Sequence, residues 1–193
     1  GTQPARATPS CRKQYGLQHG KENRGEAKEH QNCTRQATNS MITTRRATLD
    51  DAQFLLRLRN DPETVKMSRV QRAVTEQEHI EWLTKVLKDP NRILKIVDTC
   101  HSDLLGTYRL DRSYDSTEIS ITVAPEHRGQ GWARSLVANA LRDIESFGIK
   151  QKRAFATIRN DNPRSLVTFI KAGFVPLHIT EQNRLVTLVK VVK

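Results

Sequence analysis

The chain has 193 residues, a formal net charge of +11, 36% hydrophobic residues and three cysteines. This length suits one domain with a short extension, and the charge favours an anionic partner: nucleic acid, an anionic membrane or a phosphorylated small molecule. The odd number of cysteines, without metal-ligand spacing, argues against a disulfide framework or a zinc site, so we expect a cytoplasmic protein without a metal. No apolar run is long enough to span a membrane.

The first 40 residues are rich in Gln, Asn, Lys, Arg, Thr and Gly and carry few large apolar side chains. Burial cannot offset the entropy of ordering such a segment, so we expect a disordered tail. Patterned sequence begins at Met41, so residues 1–40 are expected to be either such a tail or a cloning or start-site extension, and residues 41–193 to form the domain. A nucleic-acid-binding arm is a weaker alternative, because acidic residues interrupt the basic ones.

From Met41 onward, strand and helix signals alternate. "MITTRRA" predicts a strand, and "TLDDAQFLLRLRND" predicts an N-capped helix with one apolar face. In "VTEQEHIEWLTKVLKD", Thr75 and Glu78 have the spacing of a capping box. Ile80, Leu83 and Leu87 recur at helical spacing, so we expect them to form the buried face of this helix.

Three β-branched, alternating runs follow and predict an antiparallel meander: "RILKIVD", "LLGTYRLDRS" and "STEISITVA". The remaining segments predict a helix, a strand, a helix and two final strands: "GWARSLVANALRDIESFG", "KRAFATIR", "NPRSLVTFIKAG", "FVPLHI" and "RLVTLVKVV". Together they predict an α/β fold of the α+β type, with a mixed, mostly antiparallel central sheet of about seven strands flanked by helices.

The stretch "APEHRGQGWARSL" joins a strand to a helix. Its two glycines, Gly129 and Gly131, permit unusual backbone torsions and leave no Cβ to block a ligand. Amides at a helix N-terminus lack intrahelical partners, and Arg128 and Arg134 add positive charge, so the loop suits a pyrophosphate. Taken alone, the glycines would fit a packing turn equally well.

Two motifs resemble signatures of the GCN5-related N-acetyltransferases, the GNAT superfamily. Arg128, Gly131 and Ala133 fit the pattern Arg/Gln-x-x-Gly-x-Gly/Ala, and the preceding "VAP" is the usual Val-x-Pro. "NPRSLVTFIKAGF", which begins at Asn162, resembles the second signature, in which an Asn starts a helix that ends in Gly-Phe. The order of elements over residues 41–193 is also that of the family. A Walker loop is excluded by the missing Lys-Ser/Thr pair.

The resemblance implies acetyl-CoA as the acetyl donor. In that family the strand that ends here at Val123 splays from the "FATIR" strand, and the pantetheine lies in the gap. Loop amides then hold the pyrophosphate, and Asn162 sits near the other end of the pantetheine. The donor-binding residues implied in this way are Val123, Arg128, Gly129, Gln130, Gly131, Trp132, Ala133 and Asn162.

Acetyl transfer to an amine needs a base for the amine and an acid for the departing thiolate. Similar enzymes place a carboxylate where this chain has Glu118, and a tyrosine where it has Phe169, which has no proton to donate. Ser165 or a water molecule is therefore our candidate for the acid, and Tyr108 is a weaker substitute. A solvated surface role for Glu118 and a packing role for Ser165 are the alternatives.

Two segments resemble the acceptor side of enzymes that acetylate the 4-amino group of nucleotide-linked amino sugars, and of enzymes that acetylate ribosomal proteins. From the first segment we expect Arg59 and Asn60 to bind substrate, and from the second His79 and Trp82. Structural roles for His79 and Trp82 are the alternatives. An arginine can form charge-assisted hydrogen bonds with a diphosphate, and Trp82 can pack on the face of a base or sugar.

The sequence therefore predicts an acetyl-CoA-dependent N-acetyltransferase, with a nucleotide-linked amino sugar as the first acceptor candidate. A protein N-terminus, a polyamine or a drug amine is the second candidate. A non-catalytic acyl-CoA-binding or nucleic-acid-binding protein is the third, and the missing tyrosine is its best support. We expect neither a membrane nor a nucleic acid as partner, and a homodimer is compatible with the sequence.

Overall fold

A computed structural model describes residues 42–99, 103–146, 152–180, 182 and 184–192. The predicted tail of residues 1–40 and the start at Met41 lie outside these residues. The described strands are β1 Ile42–Arg46, β2 Arg92–Thr99, β3 Leu104–Arg112, β4 Ser116–Val123, β5 Lys152–Arg159, β6 Val175–Thr180 and β7 Leu185–Val192. The described α-helices are α1 Ala52–Asn60, α2 Pro62–Met67, α3 Glu76–Lys88, α4 Trp132–Ser146 and α5 Pro163–Lys171.

The seven described strands form one sheet in the order β1-β2-β3-β4-β5-β7-β6. Every neighbouring pair is antiparallel except β4 and β5, which are parallel. Helix α4 supplies the crossover that a parallel pair requires. The predicted fold class, including the antiparallel meander of β2, β3 and β4, is confirmed.

Helices pack on both faces of the sheet and enclose two apolar cores. The first core includes α4 residues such as Leu136 and Ile144 together with Phe169 of α5. The second includes Leu58 of α1 and Leu83 of α3 against β2. The sheet is therefore covered on one face by α4 and α5 and on the other by α1 and α3.

Helix α3 begins with the predicted capping box. The Glu78 amide donates to Thr75 Oγ1 at 3.2 Å, and the Thr75 amide donates to Glu78 Oε2 at 2.8 Å. The predicted buried face, however, was wrong. Leu83 is buried, but Ile80 is 42% exposed and Leu87 is also exposed.

The buried face of α3 is formed instead by His79, Leu83 and Val86. Apolar residues occur on more than one side of this helix, so periodicity alone did not fix which side meets β2. The consequence is that a histidine is buried where the sequence predicted aliphatic packing.

Tyr108 lies in the first core and donates a hydrogen bond of 2.8 Å to Asp143 Oδ2. Burial, and secondarily the bond to Asp143, raises the pKa of its phenol. A fully buried phenol held in this way is structural, so Tyr108 is not a substitute for the missing acid.

Among the helices of the described residues, none is both long and apolar enough to cross a bilayer.

Candidate active site

Strands β4 and β5 part from each other halfway along their length. Their pairing covers only Ser116 with Arg153, Thr117 with Ala154 and Glu118 with Phe155. Beyond Glu118 no register joins the two strands, so residues 119–123 and 156–159 face each other across a gap with free backbone groups. The splay that the family resemblance implied is therefore present.

The gap widens into a groove of about 940 Å³ bounded by β4, β5, the glycine loop and the start of α5. Of the predicted donor-binding residues, those that line it are Val123, Arg128, Gly129, Gly131, Trp132, Ala133 and Asn162. Gln130 does not line it. Its side chain instead donates to the Glu126 carbonyl at 3.1 Å and accepts from Trp132 Nε1 at 3.1 Å, which braces the loop from outside.

The glycine loop offers unobstructed amides at the start of α4. Gly129 and Gly131 have φ values of 77° and 88°, and no heavy atom lies within 4 Å of where a Cβ would stand on either. Among the described backbone hydrogen bonds outside regular elements, none has the amide of Gly129, Gln130 or Gly131 as donor. Unpaired amides beside the positive end of a helix suit a phosphate, so the groove fits the donor that the resemblance implied.

The side chain of Arg128 does not direct its charge into this loop, contrary to our prediction. Its Nη1 donates to Asp61 at 3.0 Å and to Glu63 Oε2 at 3.1 Å, and its Nη2 donates to Thr64 Oγ1 at 3.0 Å. Its Nε donates to the Val123 carbonyl at 3.3 Å. Two carboxylates at the start of α2 attract the guanidinium more strongly than solvent does, so Arg128 fastens the loop to α2.

Asn162 is the N-cap of α5. Its Oδ1 accepts from the Ser165 amide at 3.1 Å, and Pro163 occupies the first turn. Its Nδ2 has no hydrogen bond within the described part of the chain. Asn162 therefore shapes the far end of the groove by starting α5, and contact with the donor stays a prediction.

A second cavity, of about 330 Å³, lies between the sheet and the helices α1 and α3. It shares its boundary with the groove through Arg59, Thr64, Ser68, Arg109, Ser120 and Thr122. Arg59, His79 and Trp82, predicted as substrate-binding residues, all line this cavity. A molecule held here would reach the gap between β4 and β5 from the side.

Asn60, which we predicted to bind substrate, does not line the cavity and instead binds the backbone of Val74. Its Nδ2 donates to the Val74 carbonyl and its Oδ1 accepts from the Val74 amide, each at 2.8 Å. Arg59 Nη2 also donates to the carbonyls of Val70 and Arg72, at 2.9 and 3.0 Å. Both side chains thus hold residues 68–74, which we call the strap, across the cavity.

His79 and Trp82 form an aromatic wall of the cavity. Their ring centroids lie 5.4 Å apart, and the Arg109 guanidinium lies 5.9 Å from the Trp82 ring. Burial, and secondarily the charge of Arg59, lowers the pKa of His79, although a hydrogen bond with the Ala52 backbone acts in the opposite direction. The imidazole is therefore held in its neutral form.

The sequence prediction missed the polar residues that β3 and β4 contribute to this cavity: Thr107, Arg109, Ser120 and Thr122. They occupy alternate positions on each strand and so share one face of the sheet. That alternation is visible in "GTYRL" and "EISIT", and it was the available signal. The alternation alone, however, does not predict which face of the sheet is covered by α1 and α3 and which by α4.

Glu118 lies at the last paired position before the strands part. Alternation puts it on the same face as Ser120 and Thr122, and its carboxylate forms an ion pair with Arg69 of the strap. Glu118 lines neither the groove nor the cavity. A role as base would act through water, and it stays a prediction.

Ser165 and Phe169 both line the groove, on successive turns of α5. Phe169 is buried and meets Phe174 edge-on with ring centroids 5.1 Å apart. Ser165 Oγ makes no hydrogen bond to any other described residue, so its hydroxyl is available to the groove.

No three His, Cys, Asp or Glu side chains among the described residues are grouped so as to hold a metal ion.

A split mixed sheet, a glycine loop that opens a helix and a cavity beside the split together define an acyl-coenzyme-A-dependent transferase. Residues 42–175 match the family described as the acetyltransferase (GNAT) domain, and the chain belongs to that family. It is an N-acetyltransferase that uses acetyl-CoA to acetylate a primary amine.

Similar proteins include the spermidine N(1)-acetyltransferase of Vibrio cholerae, 26% identical over 148 residues that cover 75% of this chain and 85% of the relative. The crystal structure of the Vibrio cholerae spermidine N-acetyltransferase with CoA and spermine aligns with a TM-score of 0.73 and 22% identity, covering 79% of this chain and 96% of that one. A domain from Methanocaldococcus jannaschii aligns with a TM-score of 0.69 and 22% identity, over 78% and 97% of the two chains.

At these identities the structural likeness establishes the fold. The two comparisons above with a stated activity are to a polyamine acetyltransferase, so the predicted resemblance to amino-sugar acetyltransferases gains no support from them.

Proposed function

We propose that this chain acetylates a primary amine of a small molecule that enters the 330 Å³ cavity, with a polyamine as the first candidate. The observation that carries the proposal is the shared boundary between cavity and groove. An amine in the cavity can approach a thioester held between β4 and β5, form the new carbon–nitrogen bond and release the thiolate. A cavity of this size suits a small molecule.

Two features support a polyamine. The relatives with a stated activity act on spermidine, and two carboxylates stand near the cavity, Glu78 in its lining and Glu118 on the same sheet face as its floor. Each carboxylate is paired with a strap arginine, Glu78 with Arg72 and Glu118 with Arg69. Those arginine side chains are 59% and 55% exposed, so such pairs are weak and the ammonium groups of a substrate could replace them.

Two observations favour a second candidate, an amine carried by an anionic molecule such as the nucleotide-linked amino sugar predicted from the sequence. Two guanidinium groups, those of Arg59 and Arg109, line the cavity. The net charge of +11 also repels a polycation and attracts an anion.

The test is a panel of amines assayed with acetyl-CoA by thiol release and by mass spectrometry of the acetylated product. It contains spermidine, spermine, a UDP-linked 4-amino sugar and a peptide with a free N-terminus. We expect spermidine and spermine to be acetylated at the highest kcat/KM. Better use of the UDP-linked sugar would favour the second candidate, and acetylation of the peptide alone would overturn the small-molecule proposal.

Salt separates the two candidates independently. Screening relieves the long-range repulsion between spermidine and a basic protein but also weakens its pairing with Glu78 and Glu118, so its KM should change little as salt is added. The KM of a UDP-linked sugar should rise instead. Gly131→Val, which obstructs the glycine loop, should suppress acetylation of every amine and serves as the control for non-enzymatic transfer.

A further inference from the structure

Gly106 lies in β3, beside the end of the strand that borders the donor groove. It pairs with Val123, the last residue of β4. The pairing of β3 with β2 is irregular at the same place, since Val97 faces Gly106 but Asp98 faces Leu104. A glycine inside a strand often marks a bulge or the close approach of another backbone. Gly106 therefore stands where β3 is irregular and β4 ends.

The backbone of β4 comes too close to Gly106 for a side chain to fit between them. A Cβ on Gly106 would overlap the carbonyl oxygen of Thr122 and would stand 3.1 Å from Val123 Cα and 3.2 Å from the Thr122 carbonyl carbon. All three atoms belong to the backbone, so no rotation of a side chain could make room. A single methyl group would force the strands apart by up to roughly 1 Å, since non-bonded carbon atoms prefer separations of about 3.5–4.0 Å.

The surroundings of β4 determine the direction of such a shift. Beyond Glu118 the strand has no pairing with β5, so its other edge faces the open gap. On the opposite side, β3 is paired with β2, which is paired in turn with β1. Val123 packs on the first core and Ala124 is buried in the second, which holds the end of β4 from both faces of the sheet. The least hindered shift is therefore into the gap between β4 and β5.

A shift in that direction would narrow the groove without touching its lining directly. Ile121, Thr122 and Val123 line the groove, whereas Gly106 lines neither the groove nor the cavity. The Ala124 amide also donates to the Leu105 carbonyl at 2.8 Å, and this hydrogen bond holds the end of β4 in its present place. The width of the gap therefore depends on a residue of the neighbouring strand.

We propose that Gly106 is a positioning residue for the donor. Its missing side chain lets β4 lie close to β3, and this keeps the gap open for the pantetheine that the family resemblance places there. The glycine loop, which suits the pyrophosphate, is shaped separately by Gly129 and Gly131. The two parts of the donor should therefore respond to different glycines. The inference concerns the donor alone and does not depend on which amine is acetylated.

The test compares the binding of two ligands by calorimetry, with no amine present. CoA carries both the pyrophosphate and the pantetheine, whereas adenosine 3′-phosphate 5′-diphosphate carries the pyrophosphate without the pantetheine. In Gly106→Ala the affinity for CoA should fall about tenfold or more, because the loss of one or two hydrogen bonds weakens binding by this factor. The affinity for the fragment should stay that of the parent.

Two other glycines supply matched variants. Gly131→Val obstructs the loop and should weaken the binding of both ligands. Gly173→Ala is the control for a less stable chain, because φ is 87° there, but its Cβ would stand 3.1 Å from Nζ of the flexible Lys190 side chain, which can move away. Gly173→Ala should bind both ligands as the parent does.

Circular dichroism and thermal denaturation establish that each variant is folded. If Gly106→Ala is only partly folded, all samples are measured in sucrose, which favours the folded state because it is excluded from the protein surface. A Gly106→Ala chain that stays unfolded in sucrose would show that the close approach serves the sheet and not the donor, and would overturn the inference.

Two binding results would also overturn it. Unchanged CoA affinity in Gly106→Ala would show that the gap tolerates the methyl group. Equal weakening of both ligands would show a general distortion that includes the glycine loop. Failure of every amine in the panel above would count against the proposed function only, because no amine enters this test.

Discussion

Arg128 Nη1 donates hydrogen bonds to both carboxylate oxygens of Asp61, each at 3.0 Å. The pair ties the loop that begins α4 to the N-cap of α2, since Asp61 Oδ1 also accepts from the amides of Glu63 and Thr64. Burial raises the pKa of Asp61, but hydrogen bonds from Arg128 and Thr64 outweigh it and hold the pKa below its ordinary value of 3.8. One carboxylate therefore links the donor loop to the acceptor half.

Asp61→Asn should weaken both folding and donor binding. The amide oxygen can still cap α2, but the charge opposite Arg128 is lost, which should cost about 2 kcal/mol of the free energy of unfolding. Urea denaturation measures this cost, and calorimetry measures the accompanying loss of acetyl-CoA affinity. Glu63→Gln is the control, because Glu63 is 45% exposed against 10% for Asp61 and should change stability little.

The same pair predicts a pH dependence. The pKa of Asp61 is lower in the folded chain than in the unfolded one, so its stabilisation is present above pH 3.8 and is lost as pH falls through the folded value. The difference in unfolding free energy between the parent and Asp61→Asn should be full near neutral pH and shrink in acid. A difference that stays constant down to strongly acidic pH would contradict the assigned ion pair.

Gly131→Val should lower the affinity for acetyl-CoA far more than it lowers the free energy of unfolding. A valine at φ of 88° is strained, and its side chain would occupy the space through which the loop amides reach a phosphate. Loss of one charge-assisted hydrogen bond corresponds to an affinity at least about tenfold weaker. Gly173→Val is the control for backbone strain, since φ is 87° there, although its Cβ would also stand 3.1 Å from Nζ of the flexible Lys190 side chain. Equal acetyl-CoA affinities in the two variants would remove the loop from the donor site.

Glu118→Gln tests the proposed base. If its carboxylate removes the amine proton through water, turnover at neutral pH should fall by about a hundredfold while acetyl-CoA affinity is unchanged. The deficit should shrink as pH approaches the pKa of the amine, because the amine then loses its proton unaided. Asp115→Asn breaks a comparable pair with Arg153 at the start of β4 and should be nearly neutral. Full turnover in Glu118→Gln would assign the carboxylate to its ion pair with Arg69 alone.

Ser165→Ala tests the acid. The Ser165 hydroxyl faces the groove without a partner among the described residues, so its removal should lower kcat about tenfold or more and leave acetyl-CoA affinity unchanged. Phe169→Tyr in that background should recover part of the loss, because it restores a phenol in the groove lining. A silent Ser165→Ala would assign protonation of the thiolate to water.

The sequence by itself determined the order of elements except the short helix α2, which was not predicted, together with the glycine loop and the helix cap at Thr75; the cap at Asn162 was implied by the family resemblance. Each depends on residues that are close together in the chain: alternation along a strand, a side chain three residues from an amide, or a glycine whose backbone adopts a positive φ. The family resemblance rested on such local patterns, and the groove between β4 and β5 was implied by that resemblance. These features were therefore predicted correctly.

Only the tertiary structure decided which side chains line the site and which instead form ion pairs, hydrogen bonds or the core. Arg128 turns from the loop to Asp61, 67 residues away, and Asn60 bonds to Val74 across the strap. His79 is buried and Ile80 exposed because α3 meets β2 with the side that periodicity left undecided. The energy of an ion pair or a buried face depends on partners brought together from distant parts of the chain, and no local pattern specifies them.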